Sequence, residues 1–198
     1  FSQTLKDAIK LTENEQFENA AKVFQKLIQT DPSNGNNYFY FGENYFQNDD
    51  WESAKKMYQK GIDVNATNAI NYVGIGKVLW FQKNFTEAQT NFFKATTLSK
   101  SKDAVVLMKI AEVYTIADDK NLDEALKLLN QAKSLAPKNP DVYILLGDAQ
   151  LEKEPGNGSL PIASYEKAAE LDKSSVKAIL RIGKLYSRSK NYSAALEN

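Results

Sequence analysis

Residues 36–66 read NNYFYFGENYFQNDDWESAKKMYQKGIDVNA. Aromatic and small residues recur here at helical spacing, and they are Phe41, Gly42 and Tyr45 in the first half and Ala54 and Tyr58 in the second. Residues one or four positions apart lie on one face of an α-helix, and the polar Asn48-Asp49-Asp50 between the halves is typical of a turn. The stretch therefore predicts two short amphipathic helices that pair as a hairpin.

The same spacing returns about 34 residues away in both directions. The later copy contains Tyr72, Ile75, Gly76, Leu79, Phe85, Ala88, Phe92 and Ala95, and the earlier copy contains Ala8, Leu11, Phe17, Ala20, Phe24 and Pro32. A hairpin of this size cannot bury its apolar face alone, so successive copies must stack on one another. The repeat therefore predicts an all-α array of antiparallel helix hairpins, without a single central core.

Six repeats divide the sequence at residues 1–34, 35–68, 69–103, 104–139, 140–175 and 176–198, and the last is incomplete. We expect them to form a single array in a natural chain that continues past Asn198. The extra residues of the longer repeats fall in turns, which leaves the packing faces in phase. Pro161 stands where other repeats have alanine, so we expect its helix to begin late, with Pro161 in the first turn.

Small residues stand at matching positions of the predicted helices. Among them are Gly42, Gly76 and Gly147 in first helices and Ala54, Ala88 and Ala125 in second helices. Glycine inside a helix costs about 1 kcal/mol relative to alanine, and close packing must offset that cost. We therefore predict that helix backbones approach closely at these residues.

Composition excludes several classes of function. The 198 residues contain neither cysteine nor histidine, which removes thiolate nucleophiles, imidazole bases and the usual zinc ligands. The formal net charge is zero, which argues against general nucleic-acid binding. Adjacent acids such as Asp49 and Asp50 lie beside turns, where they are expected to cap helices rather than to catalyse a reaction. No apolar stretch of the sequence is long enough to span a membrane. We therefore predict a non-catalytic protein with no cofactor and no direct membrane insertion.

The repeated pattern resembles the tetratricopeptide repeat. A typical repeat here has an aromatic residue or leucine early in its first helix, a glycine and a tyrosine about one turn apart, and alanine and an aromatic residue in its second helix. The resemblance covers essentially the whole chain. It implies a right-handed superhelical solenoid whose concave groove is lined by the first helices. It also implies a scaffold that binds a peptide or an extended segment of a partner protein in that groove.

Positions that line the groove in this family can be read from the sequence. The expected peptide-binding residues are Phe39, Glu43, Phe46, Ile70, Val73, Lys77, Trp80, Val105, Met108 and Glu112. A solvated surface does not need large apolar residues such as Phe46 and Trp80, so a hydrophobic groove centred on Trp80 is one interpretation. The other interpretation is that these side chains pack against the neighbouring first helix.

Basic residues gather in the last repeat. The ninth residues of the predicted first helices carry charges of both signs, and they are Glu43, Lys77, Glu112, Asp148 and Lys184. Lys177, Arg181 and Lys184 make the end of this row basic and are candidate contacts for an anion, and a plain solvated face is the other account. By resemblance, Lys177 and Arg181 match part of the carboxylate clamp of chaperone-binding family members. Met108, Glu112 and Leu145 do not match the rest, so we predict no chaperone binding.

A second hypothesis makes the chain a structural section of a longer repeat scaffold. The truncated C-terminal end would then stack on further repeats or self-associate, and any enzymatic activity would lie in a domain outside this segment. The sequence identifies neither the partner nor the compartment. Its lysine- and asparagine-rich, arginine-poor composition suggests an AT-rich bacterial genome, so a soluble protein of a bacterial cytoplasm or periplasm is one expectation.

Overall fold

The computed structural model describes residues 4–188, which form eleven α-helices and contain no β-strand. The first helices of the six repeats are α1 (Leu5–Glu13), α3 (Gly35–Gln47), α5 (Ala69–Phe81), α7 (Ala104–Ile116), α9 (Pro140–Lys153) and α11 (Val176–Arg188). The second helices are α2 (Phe17–Thr30), α4 (Trp51–Val64), α6 (Phe85–Leu98), α8 (Leu122–Leu135) and α10 (Ser159–Leu171). The predicted all-α hairpin architecture is confirmed over these residues.

The chain divides into two compact units, residues 1–101 and residues 102–198. The N-terminal unit contains α1 to α6 and the C-terminal unit contains α7 to α11. Within each unit, the two helices of a hairpin pack against each other, and each second helix also packs against the first helix that follows it. First helices of successive repeats touch as well, as α3 touches α5 and α7 touches α9. Each unit therefore has one layer of first helices and one of second helices.

The turns inside the first three hairpins share one backbone conformation. Glu15, Asp49 and Lys83 all have a positive φ, at 58°, 59° and 62°. In each case the next residue's N–H donates back to the first helix, as from Asp50 to the carbonyl of Tyr45 at 3.0 Å. The predicted turn at residues 48–50 is confirmed, and it recurs because a positive φ reverses the chain within three residues.

Two local predictions about helix starts are also confirmed. Asp50 precedes α4, and its carboxylate accepts the backbone N–H of Ser53 at 3.0 Å. This hydrogen bond favours the charged form and lowers the pKa of Asp50 below its ordinary value of 3.8. The helix α10 begins at Ser159, so Pro161 lies in its first turn, where a missing N–H leaves no helical hydrogen bond unmade.

Several glycines of the first helices lie against aromatic rings of the second helices. A Cβ on Gly42 would overlap the ring of Tyr58, and one on Gly147 would overlap the ring of Tyr165 in the same way. Gly74, in the next repeat, also lies against the Tyr58 ring, and both glycines meet its Cδ1 and Cε1 atoms. The prediction named the approach of two helix backbones. At Gly42 and Gly147 a ring from the second helix fills the space instead, whereas a Cβ on Gly76 would also meet the backbone carbonyl of Ala88 at 3.1 Å. One tyrosine thus joins its own hairpin to the next.

Candidate functional site

The predicted groove residues of the N-terminal unit are almost fully buried. Phe39, Glu43, Phe46, Ile70, Val73, Lys77 and Trp80 each expose 8% of their surface or less. In the C-terminal unit, Met108 is likewise buried, whereas Val105 is exposed and Glu112 partly so. Most of the predicted set therefore presents little side-chain surface to a ligand.

Aromatic packing accounts for much of this burial. The Trp80 ring lies 4.8 Å from the ring of Phe85 and 6.2 Å from that of Phe92, both on α6. The Phe46 ring stacks on Trp51 at 5.8 Å. These contacts lie within single hairpins, where they stabilise the pairing of a first helix with its second helix. The hydrophobic groove centred on Trp80 stays a prediction.

A buried charge pair joins the second and third repeats. The Lys77 ammonium lies 3.1 Å and 3.0 Å from the two carboxylate oxygens of Glu43. The hydroxyl of Tyr58 donates to the same carboxylate at 2.6 Å, and the Lys77 ammonium also lies 4.0 Å from the centre of the Phe46 ring. Both side chains of the pair expose less than a tenth of their surface. The charges of this cluster are therefore compensated inside the unit.

The C-terminal unit contains an open pocket of about 290 Å³ on its first helices α7, α9 and α11 and the turn after α7. Its lining residues are Thr115, Ile116, Lys120, Asp148, Leu151, Glu152, Arg181, Lys184 and Leu185. We call this cavity the C-terminal pocket. Of the three predicted anion contacts, Arg181 and Lys184 line it and Lys177 does not.

Asp148 and Arg181 form the best-defined polar contact of the pocket. The Arg181 Nε and Nη2 atoms donate to the two carboxylate oxygens of Asp148 at 2.7 Å and 3.0 Å. Tyr165 donates its hydroxyl to the same carboxylate at 2.8 Å. The hydrogen bond to Asp148 raises the pKa of Arg181 above its ordinary value. Two of the five N–H donors of the guanidinium are used here, which fixes its plane beside the cavity.

The remaining charges of the pocket do not balance. Lys120 pairs with Glu152 at 2.8 Å, which ties the turn after α7 to α9. Lys184 is exposed and has no acidic partner among residues 4–188. Three basic side chains therefore face two acidic ones across the lining, and the surplus positive charge belongs to Lys184.

Apolar side chains form the rest of the lining. Ile116, at the end of α7, exposes 53% of its surface, and Leu151 and Leu185 are partly exposed beside it. The predicted anion contacts included Arg181 and Lys184, whereas Ile116 and Leu185 were not predicted. The exposure of an apolar residue at the last position of a helix depends on the direction in which the following turn continues. The spacing of residues in the sequence does not reveal that direction.

Neither a metal site nor a membrane-spanning helix is found among residues 4–188. No cluster of acidic side chains there is suited to hold a metal ion. No helix within the same range is both long enough and apolar enough to cross a membrane. The C-terminal end through which self-association is predicted, and the side chain of Arg188, lie outside the part whose side chains are described.

Solved structures of other proteins share this fold at low sequence identity. TTC0263, a thermophilic TPR protein of Thermus thermophilus, is 16% identical over 98% of this chain and 97% of its own, with a TM-score of 0.71. PilW, a type IV pilus biogenesis factor, is 15% identical over 96% of this chain and 86% of its own, with a TM-score of 0.62. YrrB, a TPR protein with an unusual peptide-binding site, is 20% identical over 88% of both chains, with a TM-score of 0.51.

A sequence profile of the tetratricopeptide repeat matches residues 11–75. A comparison with curated proteins by sequence found no match. The helix hairpins continue from the matched residues through α11, and the solved structures above share that architecture. Over residues 4–188 the chain therefore has the fold of tetratricopeptide-repeat proteins, and residues 11–75 match that repeat in sequence.

Proposed function

We propose that this chain is an interaction scaffold that takes up an extended segment of a partner protein on the first helices of its C-terminal unit. The observation that carries the proposal is the C-terminal pocket, which combines exposed aliphatic side chains with an unmatched lysine and a fixed arginine. Apolar side chains combined with a few polar or charged groups are typical of ligand-binding pockets.

The contrast with the N-terminal unit supports the choice of surface. There the aromatic side chains and the Glu43–Lys77 pair have their partners within the unit and are almost fully buried. A ligand gains free energy when it covers apolar surface that was exposed to water, and an exposed charge without a partner can attract an opposite charge on the ligand. Such surface is present at Ile116 and Lys184. The peptide-binding site named for YrrB, a protein of the same fold, is consistent with this proposal.

The test compares two apolar-to-arginine variants of the full chain on an array of short extended peptides. Ile116→Arg places a long charged side chain at the mouth of the pocket, and Leu135→Arg changes a similarly exposed leucine on α8, outside the pocket. We expect the first variant to lose most of the wild-type binding signal and the second to keep it. Circular dichroism checks that both variants remain folded. Peptide binding that survives Ile116→Arg unchanged would overturn the proposal.

A further inference from the structure

The two units differ in how the charged ninth residues of their first helices are paired. In the N-terminal unit, the ninth residue of α3, Glu43, pairs with the ninth residue of α5, Lys77. In the C-terminal unit, the ninth residues of α9 and α11 are Asp148 and Lys184, an acid and a lysine in the same register. Here, however, Asp148 pairs with Arg181, which lies one turn earlier on α11.

Because Asp148 pairs with Arg181, Lys184 lacks the acidic partner that its register would give it. Arg181 occupies both carboxylate oxygens of Asp148, and Tyr165 adds a third hydrogen bond to the same group. Lys184, the counterpart of the buried Lys77, is left exposed on the lining of the pocket. Its hydrated ammonium group is therefore available to an anion brought by a ligand.

We propose that the C-terminal pocket selects segments in which an aspartate or glutamate stands next to an aliphatic residue. This inference rests on the proposed function and names the ligand class of the same site. Lys184 receives the acidic side chain, and the aliphatic side chain packs against Ile116, Leu151 and Leu185. A pocket of about 290 Å³ has room for both groups.

The charge balance of the lining argues for a carboxylate over a phosphate group. Asp148 and Glu152 lie in the same lining and would repel a group with two negative charges. A single carboxylate matches the single surplus positive charge. Moreover, the Arg181 guanidinium, the group best shaped to bind a carboxylate through two hydrogen bonds, already donates two of its N–H groups to Asp148. A flexible acidic side chain that reaches the point charge of Lys184 is therefore the better fit than a chain-terminal carboxylate.

The experiment uses the full chain and three short probe peptides with an acetylated N-terminus and an amidated C-terminus. One contains the pair Leu-Glu in a Gly/Ser background, and the other two replace this pair by Leu-Gln or by Ala-Glu. With both ends capped, only a side chain can supply the carboxylate. Affinities are measured by titration, and amide chemical shifts along α11 report where each peptide binds.

We expect the Leu-Glu peptide to bind about two- to fivefold more tightly than the Leu-Gln peptide, the range typical of a partly exposed ion pair. The Ala-Glu peptide should also bind more weakly because it lacks the aliphatic contact. In Lys184→Gln, the preference for Leu-Glu over Leu-Gln should disappear. In the matched control Lys177→Gln, on the same helix but outside the pocket lining, it should remain. Circular dichroism confirms that the variants keep their helices.

The possible results distinguish a failure of the acidic ligand preference from a failure of the proposed binding surface. Equal affinity for the Leu-Glu and Leu-Gln peptides, with shifts on α11 for both, would overturn the acidic preference and leave the proposed function standing. A preference that persists in Lys184→Gln would overturn the role of this lysine. Binding only by peptides with a free C-terminus would overturn the side-chain source. A failure of all peptides to shift α11 would overturn both the ligand class and the binding surface.

Discussion

The N-terminal and the C-terminal unit each contain a cluster of one tyrosine, one acidic and one basic side chain, and the two clusters differ in how deeply they are buried. In both, a tyrosine of a second helix donates to an acid at the ninth position of the preceding first helix, and a basic side chain of the following repeat pairs with that acid. The Glu43–Lys77 pair is almost fully buried, whereas the side chains of Asp148 and Arg181 expose 22% and 41% of their surface. The buried cluster serves the stacking of the repeats, and the open one adjoins a pocket.

The difference shows how a repeat array can enclose one charge pair and leave another beside an open cavity. A basic residue in register with the acid reaches it inside the stack, where Lys77 also lies over the Phe46 ring. A basic residue one turn earlier, such as Arg181, reaches the acid beside the cavity and leaves the in-register lysine exposed. A shift of one helical turn is therefore enough to turn an internal contact into part of an open surface.

The largest effect should come from the aromatic packing of the N-terminal unit. Trp80→Ala removes a ring that contacts Phe85 and Phe92 and exposes only 6% of its surface. We expect a loss of about 3–5 kcal/mol in the free energy of unfolding, since the cavity adds to the lost burial. Urea denaturation followed by circular dichroism measures it. A loss as small as that of an exposed residue would show that Trp80 belongs to an open surface.

The comparison of the two charge pairs can be tested directly. Lys77→Met leaves the Glu43 carboxylate buried without its cation, and we expect a loss of about 3 kcal/mol. Arg181→Met leaves Asp148 with the Tyr165 hydrogen bond and access to water, and we expect a loss below about 1 kcal/mol. The measurement is urea denaturation of the two variants in the same buffer. Equal losses would mean that the two clusters do not differ in their contribution to stability.

The smallest effect concerns the cap of α4 and depends on pH. Asp50→Ala removes the acceptor for the Ser53 N–H, and we expect a loss of about 1 kcal/mol at neutral pH. Because folding lowers the pKa of Asp50, the stability that its charge adds is fully present above the unfolded value of 3.8 and is lost as the pH falls through the lower folded value. The gap between wild type and variant in thermal unfolding should therefore narrow on acidification.

Asp50→Asn is the matched control for this cap. Asparagine can still accept the Ser53 N–H, so this variant should remain close to the wild type at neutral pH. Its cap does not titrate, and its stability should therefore change less on acidification than that of the wild type. A gap between Asp50→Ala and the wild type that stays constant from neutral to acid pH would contradict the charged-cap interpretation.

Much of the fold could be predicted from residue spacing because its causes are local. The turn at residues 48–50 and the position of Pro161 in the first turn of α10 follow from chain chemistry within a few residues. The role of Gly42 was predicted only in part. A glycine at this position of the repeat indicates that another part of the protein packs closely against the helix. That the neighbour is the Tyr58 ring depends on the angle at which the second helix crosses the first.

The candidate site could be predicted less well. Resemblance to the family placed Phe39, Phe46 and Trp80 among the groove residues, and the structure places them at 8% exposure or less. It also selected Arg181 and Lys184, which do line the pocket, but not Ile116 or Leu185 beside them. A repeat position gives the side of the helix on which a residue lies. It does not give the exposure, which depends on the side chains of the neighbouring repeats.

The hairpins, their period, the helix starts and the lack of thiol and imidazole groups follow from the sequence alone, because they depend on residue type and on neighbours close along the chain. Which charges are enclosed and which face a cavity depends on the tertiary structure. Glu43 meets Lys77 and Asp148 meets Arg181 across more than thirty residues, at distances of 3.0 Å and 2.7 Å. Whether such a pair forms in register or one turn earlier depends on side-chain length and helix packing in three dimensions, and that choice leaves Lys184 exposed in the lining of the pocket.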